Sequence, residues 1–106
     1  MISEDRVEAA VEYLRDTAKQ YGQARGHALY AENNLRRVKA LVMLEYTGSL
    51  GEREAQAYAS DQYKEALQTM EDAVAESETI RALREAANYT IEVWRSQNST
   101  RRQGNV

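Results

Sequence analysis

Residues 24–42 read ARGHALYAENNLRRVKALV, and small or apolar side chains recur in this stretch at every third or fourth position. Steps of three and four residues keep side chains on one face of an α-helix. The stripe continues toward the N-terminus, and its members are Val7, Ala10, Leu14, Ala18, Tyr21, Ala24, Ala28, Ala31, Leu35, Val38 and Val42. The pattern therefore predicts one amphipathic helix of about 40 residues.

A second stripe with the same spacing occupies the other half of the chain. Its members are Ala59, Tyr63, Ala66, Met70, Ala73, Ser77, Ile80, Leu83, Ala87, Ile91 and Trp94. The segment TGSLG at residues 47–51 lies between the stripes and carries the turn-forming residues. We therefore predict an all-α fold, an antiparallel hairpin of two long helices with a short helical elbow.

Polar residues mark where the helices begin. Ser3 is followed by acidic residues and is a candidate N-cap, and Ser49 begins a capping box. Ser60 and Asp61 offer another N-cap, so residues 52–58 form either a short separate helix or the first turns of the second long helix.

The predicted domain organisation is a helical hairpin domain at residues 1–96 and a polar basic tail at residues 97–106. The tail has no apolar face, and we expect it to fray. Gly22 and Gly26 weaken the first helix, and a break there would give a three-helix monomer instead of a hairpin.

Charge supports an antiparallel register in which paired residue numbers add to roughly 105. Residues 61–78 carry six carboxylates and one lysine, a net charge of −5, whereas residues 23–39 carry a net charge of +3. The register places these two runs opposite each other, so we expect ion pairs between them.

The alanine-rich stripes let helices approach closely but bury little apolar area. A hairpin of two helices without a partner would therefore have low stability. Larger apolar residues flank the stripes: Val11, Leu29, Leu41, Leu44, Leu67, Val74 and Val93. We therefore predict a homo-oligomer, with a homodimer forming a coiled-coil-like four-helix bundle as the simplest solution.

Composition limits the classes of function. The chain has 106 residues, a formal net charge of −3, no cysteine and no proline, which indicates one domain without disulfides or thiolate metal sites. The acidic balance disfavours a generic nucleic-acid coat protein. No secretory signal or membrane-spanning run is visible in the sequence, so we expect a cytoplasmic protein that does not enter a membrane.

Catalytic and metal-binding patterns are missing from the sequence. His27 is the single histidine and has no neighbouring cysteine or Glu-x-x-His spacing. Glu4, Glu8 and Glu12 share a helix face but have no histidine partners, which is typical of a solvated face. We therefore expect a protein that is not an enzyme and uses neither metal nor cofactor.

The segment with most functional character combines an aromatic ring with cations: Trp94, Arg95, Arg101 and Arg102. Arginine and aromatic side chains together hold phosphates and stack on bases, so this segment is a candidate contact for nucleic acid or an acidic partner. The alternative is a helix end whose cations complement the helix dipole while Trp94 caps the core.

A second, weaker candidate consists of the basic residues Arg25, His27, Arg36 and Arg37. They suggest a site for a small anionic ligand between subunits. The competing interpretation is that they pair with the acidic run at residues 61–78.

Two passages, GEREAQAYASDQY at residues 51–63 and WRSQNSTR at residues 94–101, resemble segments of small helical proteins from bacteriophage and prophage early regions. Those proteins tend to be encoded near replication and recombination genes. The resemblance implies a phage accessory protein that binds during viral DNA replication or recombination in the host cytoplasm. The alternatives are a host-directed inhibitor or adaptor that binds a protein surface, and an oligomeric sponge for the anionic ligand.

Overall fold

The computed structural model describes residues 1–104, and within that range the chain forms three α-helices without any strand. Helix α1 spans Glu4–Met43, α2 spans Leu50–Tyr58 and α3 spans Asp61–Gly104. Helix α1 packs against α3. The predicted all-α helical hairpin is therefore confirmed, and the elbow is a separate short helix.

The chain divides into two compact units. The elbow unit comprises Gln23–Ser77, and the terminal unit comprises Met1–Gly22 together with the chain from Glu78 onward. Each unit contains part of α1 and part of α3, and α2 belongs to the elbow unit.

Serine side chains cap all three helices. The Oγ atom of Ser3 accepts a hydrogen bond from the backbone N–H of Arg6 (3.3 Å) at the start of α1. At the start of α2, the Oγ atom of Ser49 accepts a hydrogen bond from the backbone N–H of Glu52 (3.2 Å). At the start of α3, the Oγ atom of Ser60 accepts one from the backbone N–H of Tyr63 (3.2 Å). An N-cap of this kind contributes about 1 kcal/mol to helix stability. The predicted caps are confirmed, with Ser60 rather than Asp61 capping α3.

Helix α1 runs without interruption through both of its glycines. The predicted alternative, a break near Gly22 or Gly26 giving a three-helix monomer, is therefore wrong. Both glycines are exposed, and a Cβ atom built on either would meet no heavy atom within 4 Å. Neither glycine supports a close helix crossing within the chain.

Helix α3 continues past the predicted domain boundary at residue 96 and ends at Gly104. A long-range contact stabilises this extension, since the Oε1 atom of Gln97 accepts a hydrogen bond from the backbone N–H of Ile2 at 2.9 Å. Arg101 and Arg102 lie in the last turn, where cations interact favourably with the helix dipole. Residues 97–104 of the predicted tail are thus helical, and residues 105–106 lie outside the described range.

The buried residues are mostly alanines. In the elbow unit these residues are Ala24, Ala28, Ala31, Val42, Ala57 and Ser77; in the terminal unit they are Ala10, Ile80 and Ala87. Ala18, Ala59 and Leu83 were placed in the stripes, but the structure leaves them exposed. Close helix packing is therefore combined with little buried apolar area per residue.

Arg84 is the main polar link between α1 and α3 in the terminal unit. Its Nη1 atom donates hydrogen bonds to the carbonyl oxygen of Leu14 (2.7 Å) and to Oγ1 of Thr17 (2.8 Å). Its guanidinium carbon lies 5.5 Å from the ring centroid of Tyr21, a cation–π contact. Tyr21 and Arg84 meet as the predicted register requires.

The expected ion pairs between residues 23–39 and residues 61–78 do not form within the described range of the chain. Lys39 instead pairs with Glu54 of α2 at 3.9 Å. Arg81 pairs with Glu78 and Glu85 on its own helix. Apart from Lys39 and Glu78, the charged side chains of the two runs make no ion pair among residues 1–104.

Substitution of the two α1 glycines tests whether the open space beside them is real. We expect Gly22→Ala and Gly26→Ala each to raise the free energy of unfolding by about 1 kcal/mol, because alanine is the better helix former. Thermal and urea unfolding followed by circular dichroism measures the change.

Gly48→Ala is the matched control, and we expect it to destabilise the protein. Gly48 has φ +122°, a conformation that residues with a Cβ rarely adopt, and the Glu52 carboxylate would have to move to make room for the new Cβ. Equal changes in the free energy of unfolding for all three variants would contradict the helical conformation of Gly22 and Gly26 and the positive φ of Gly48.

Candidate functional site

The terminal unit contains a cleft beside the single tryptophan. Trp94, Asn98, Arg101 and Arg102 line it from α3, and Glu4 lines it from the first turn of α1. The cleft has a volume of about 410 Å³. Residues 94, 98 and 101 are spaced by four and three, so the helical period alone brings them to one face of α3.

A neighbouring cleft of about 220 Å³ shares Trp94, Asn98 and Arg102 with the first and adds Arg95 and Ser99. The three arginines selected from the sequence therefore line clefts beside the half-buried Trp94 indole ring. We call Trp94 and these three arginines, together with Asn98, the Trp94 cluster.

The N-terminal segment of the chain contributes to this surface. The backbone N–H of Ile2 is bound to Gln97, and the Nη1 atom of Arg101 lies 4.0 Å from the Sδ atom of Met1. Sequence reasoning missed Glu4 and Met1, since only the pairing of α1 with α3 brings them beside the tail. Asn98 was also missed, although its spacing of four from Trp94 signalled a shared face.

The cations of the Trp94 cluster are not neutralised by ion pairs. Among residues 1–104, no carboxylate oxygen lies within 4.0 Å of Arg95, Arg101 or Arg102. All three arginines are exposed. The Glu4 carboxylate is the one acidic group of the described residues that lines the first cleft.

Chemically, the Trp94 cluster offers planar guanidinium donors, an amide and an aromatic face. Guanidinium groups match the geometry of phosphate oxygens, and an aromatic ring stacks on a flat base. No groups of three or more His, Cys, Asp or Glu side chains that could hold a metal ion occur in residues 1–104. The site is suited to binding an anionic, planar ligand.

The second basic set does not converge on one site. Arg25, His27, Arg36 and Arg37 are all exposed along α1, and none lines a cleft described here. Arg25 and Arg36 are separated by three helical turns, a rise of about 16 Å. The structure thus places these residues on one helix without assembling them around a common cavity.

The elbow is fixed by contacts that the sequence did not reveal. The Nε atom of Arg53 donates a hydrogen bond to the carbonyl oxygen of Met43 at 3.2 Å, which fastens α2 to the end of α1. The Lys39 ammonium lies 4.6 Å from the ring centroid of Tyr58, and Tyr58 packs edge-on against Tyr63 with ring centroids 5.2 Å apart. Tyr58 hydrogen bonding and the nearby Glu54 charge raise the pKa of Lys39. These residues position the elbow rather than form a binding cavity.

Quenching of the fluorescence of the single tryptophan tests the electrostatics of the Trp94 cluster. We expect iodide to quench Trp94 at least about twofold more strongly than caesium, because unpaired guanidinium groups concentrate anions near the ring. Arg101→Gln combined with Arg102→Gln should reduce the iodide constant while leaving quenching by neutral acrylamide unchanged. Stronger quenching by caesium would show that Glu4 dominates the local field.

No helix within residues 1–104 is sufficiently long and apolar to span a membrane. Comparison with known proteins gives no match to a family model, to a curated protein or to a solved structure.

Proposed function

We propose that this protein is a non-enzymatic accessory protein that acts by binding nucleic acid through the Trp94 cluster. The resemblance to phage early-region proteins suggests viral DNA replication or recombination as the process, in the host cytoplasm. The observation that carries the proposal is the assembly of three arginines without carboxylate partners around one half-buried indole.

The chemistry of the Trp94 cluster favours single-stranded nucleic acid. The bases of a duplex are already stacked on each other, whereas an unpaired base is free to stack on an aromatic side chain. The three arginines then hold neighbouring phosphates. Such contacts depend on charge and stacking, so binding is insensitive to base sequence and weakens with salt.

We also propose that the protein self-associates, and the accessible surface supports this. The chain exposes 7884 Å². A compact monomer of its mass, 12.1 kDa, exposes only about 6,000 Å². The exposed surface includes large apolar side chains, among them Leu29 (51% exposed) and Leu41 (46%).

Self-association also increases the effect of a small binding site. Three phosphate contacts per chain give modest affinity, but a second copy adds a second Trp94 cluster to the same assembly. The second contact with one strand is then intramolecular, so avidity exceeds the affinity of either cluster alone.

Retardation of a labelled oligothymidylate at low salt tests the binding proposal. We expect Arg101→Glu combined with Arg102→Glu to weaken binding at least about tenfold, because two of three phosphate contacts become repulsive. The wild-type binding constant should fall with salt with a logarithmic slope of about −2 per chain. Duplex DNA of the same sequence length should bind more weakly.

Arg15→Glu combined with Lys19→Glu is the matched control. These two residues are exposed, belong to the terminal unit and change the net charge by the same amount, but they lie outside the Trp94 cluster. Equal loss in both double variants would indicate a general charge effect, and no retardation of wild-type protein at low salt would overturn the proposal.

A further inference from the structure

A second stripe follows the C-terminal part of α1 and ends at Leu44, directly after the helix, on a side that the other residues of 1–104 leave largely exposed. The spacing of Tyr30, Asn34, Arg37, Leu41 and Leu44 is four, three, four and three, the repeat of a helix–helix seam. Tyr30 is 71% exposed, Leu41 46% and Leu44 74%. We call these five residues the outer stripe.

The outer stripe is distinct from the surfaces that α1 uses within the elbow unit. The face buried in that unit contains Ala24, Ala28, Ala31 and Val42. Helix α2 is held through Lys39 and the carbonyl oxygen of Met43. The outer stripe therefore has the spacing of a helix seam without a partner helix in its own unit.

The matching chemistry is present on α3 of the same unit. Exposed carboxylates recur along one side of this helix, at Asp61, Glu65, Asp72 and Glu76. Thr69 is exposed beside this acidic side, and Ala66 and Ala73, which belong to the stripe that faces α1, lie half-buried next to it. A helix that carries cations is complementary to this surface in charge.

Arg37, within the outer stripe, and Arg36, the residue before it, make no ion pair among the described residues, since no carboxylate of residues 1–104 lies within 4.0 Å of either. The acidic side of α3 likewise makes no ion pair with α1. Both halves of a complementary set of charges therefore belong to one chain.

We propose that the outer stripe of one copy docks against α3 of a second copy, and that a two-fold axis repeats the contact. Tyr30 and Leu41 then pack beside Thr69 of the partner helix, and Arg37 faces its carboxylates. Each α1 is covered by its own α3 and by the partner helix, which gives a four-helix bundle. This inference rests on the proposed self-association and assigns its surface.

Removal of the large apolar side chains provides the first test. Sedimentation velocity and light scattering should show a wild-type dimer at micromolar concentration. We expect Tyr30→Ser combined with Leu41→Ser to weaken dimerisation at least about tenfold while circular dichroism shows unchanged helix content.

Leu83→Ser is the matched control, because Leu83 is 53% exposed and lies in the terminal unit, away from the outer stripe. We expect this variant to remain a dimer. Equal weakening by Leu83→Ser would overturn the assignment of the surface.

Charge reversal in two separate chains provides the second test. One variant carries Arg36→Glu and Arg37→Glu, and the other carries Glu65→Lys and Asp72→Lys. Each should be monomeric alone, because its own two-fold contact brings like charges together. A mixture should form a heterodimer, in which one contact has both charges reversed and the other is wild type.

The outcomes separate this inference from the proposal on which it rests. A monomeric wild-type protein would overturn both self-association and the assigned surface, while DNA retardation would still test the Trp94 cluster. A wild-type dimer that tolerates all of these substitutions would overturn the assigned surface alone. A heterodimer formed only by the mixed charge variants would establish it.

Discussion

The structure depends on the smallness of the side chains where α1 and α3 meet. Six of the eight buried hydrophobic residues within the described range are alanines, and only Val42 and Ile80 are larger. Alanine permits close contact between helix backbones, but each buried methyl group contributes little hydrophobic free energy. Stability must therefore come from helix propensity, caps and polar links such as Arg84, and the large apolar side chains remain on outer faces.

Features of the fold that depend on neighbouring residues could be predicted from the sequence. Ser3, Ser49 and Ser60 cap helices because a serine hydroxyl satisfies an N–H group three residues later, which is visible in the sequence itself. The packing of α1 against α3 could also be predicted, because the helical period that creates the alanine-rich stripes is visible in the local sequence. Asn98 and Trp94 could have been grouped by this rule as well.

Features that depend on distant partners were harder to predict. Helix α3 passes Ser96 because Gln97 binds the backbone of Ile2, a contact between residues 95 positions apart. Lys39 pairs with Glu54 instead of the acidic run, because α2 returns to the end of α1 in a way that the turn residues do not reveal. Leu83 fits the stripe by spacing but is exposed, because helical spacing does not fix how far the buried face extends around the helix.

The buried alanines between α1 and α3 also limit how such a sequence can change during evolution. Larger residues at Ala24, Ala28 or Ala31 would force the helices apart, while the exposed positions around them accept many residue types. Selection then acts on side-chain volume at a few inner positions and leaves the remainder of the chain free to drift. Related chains would share a pattern of small residues and helix caps more faithfully than they share residue identities.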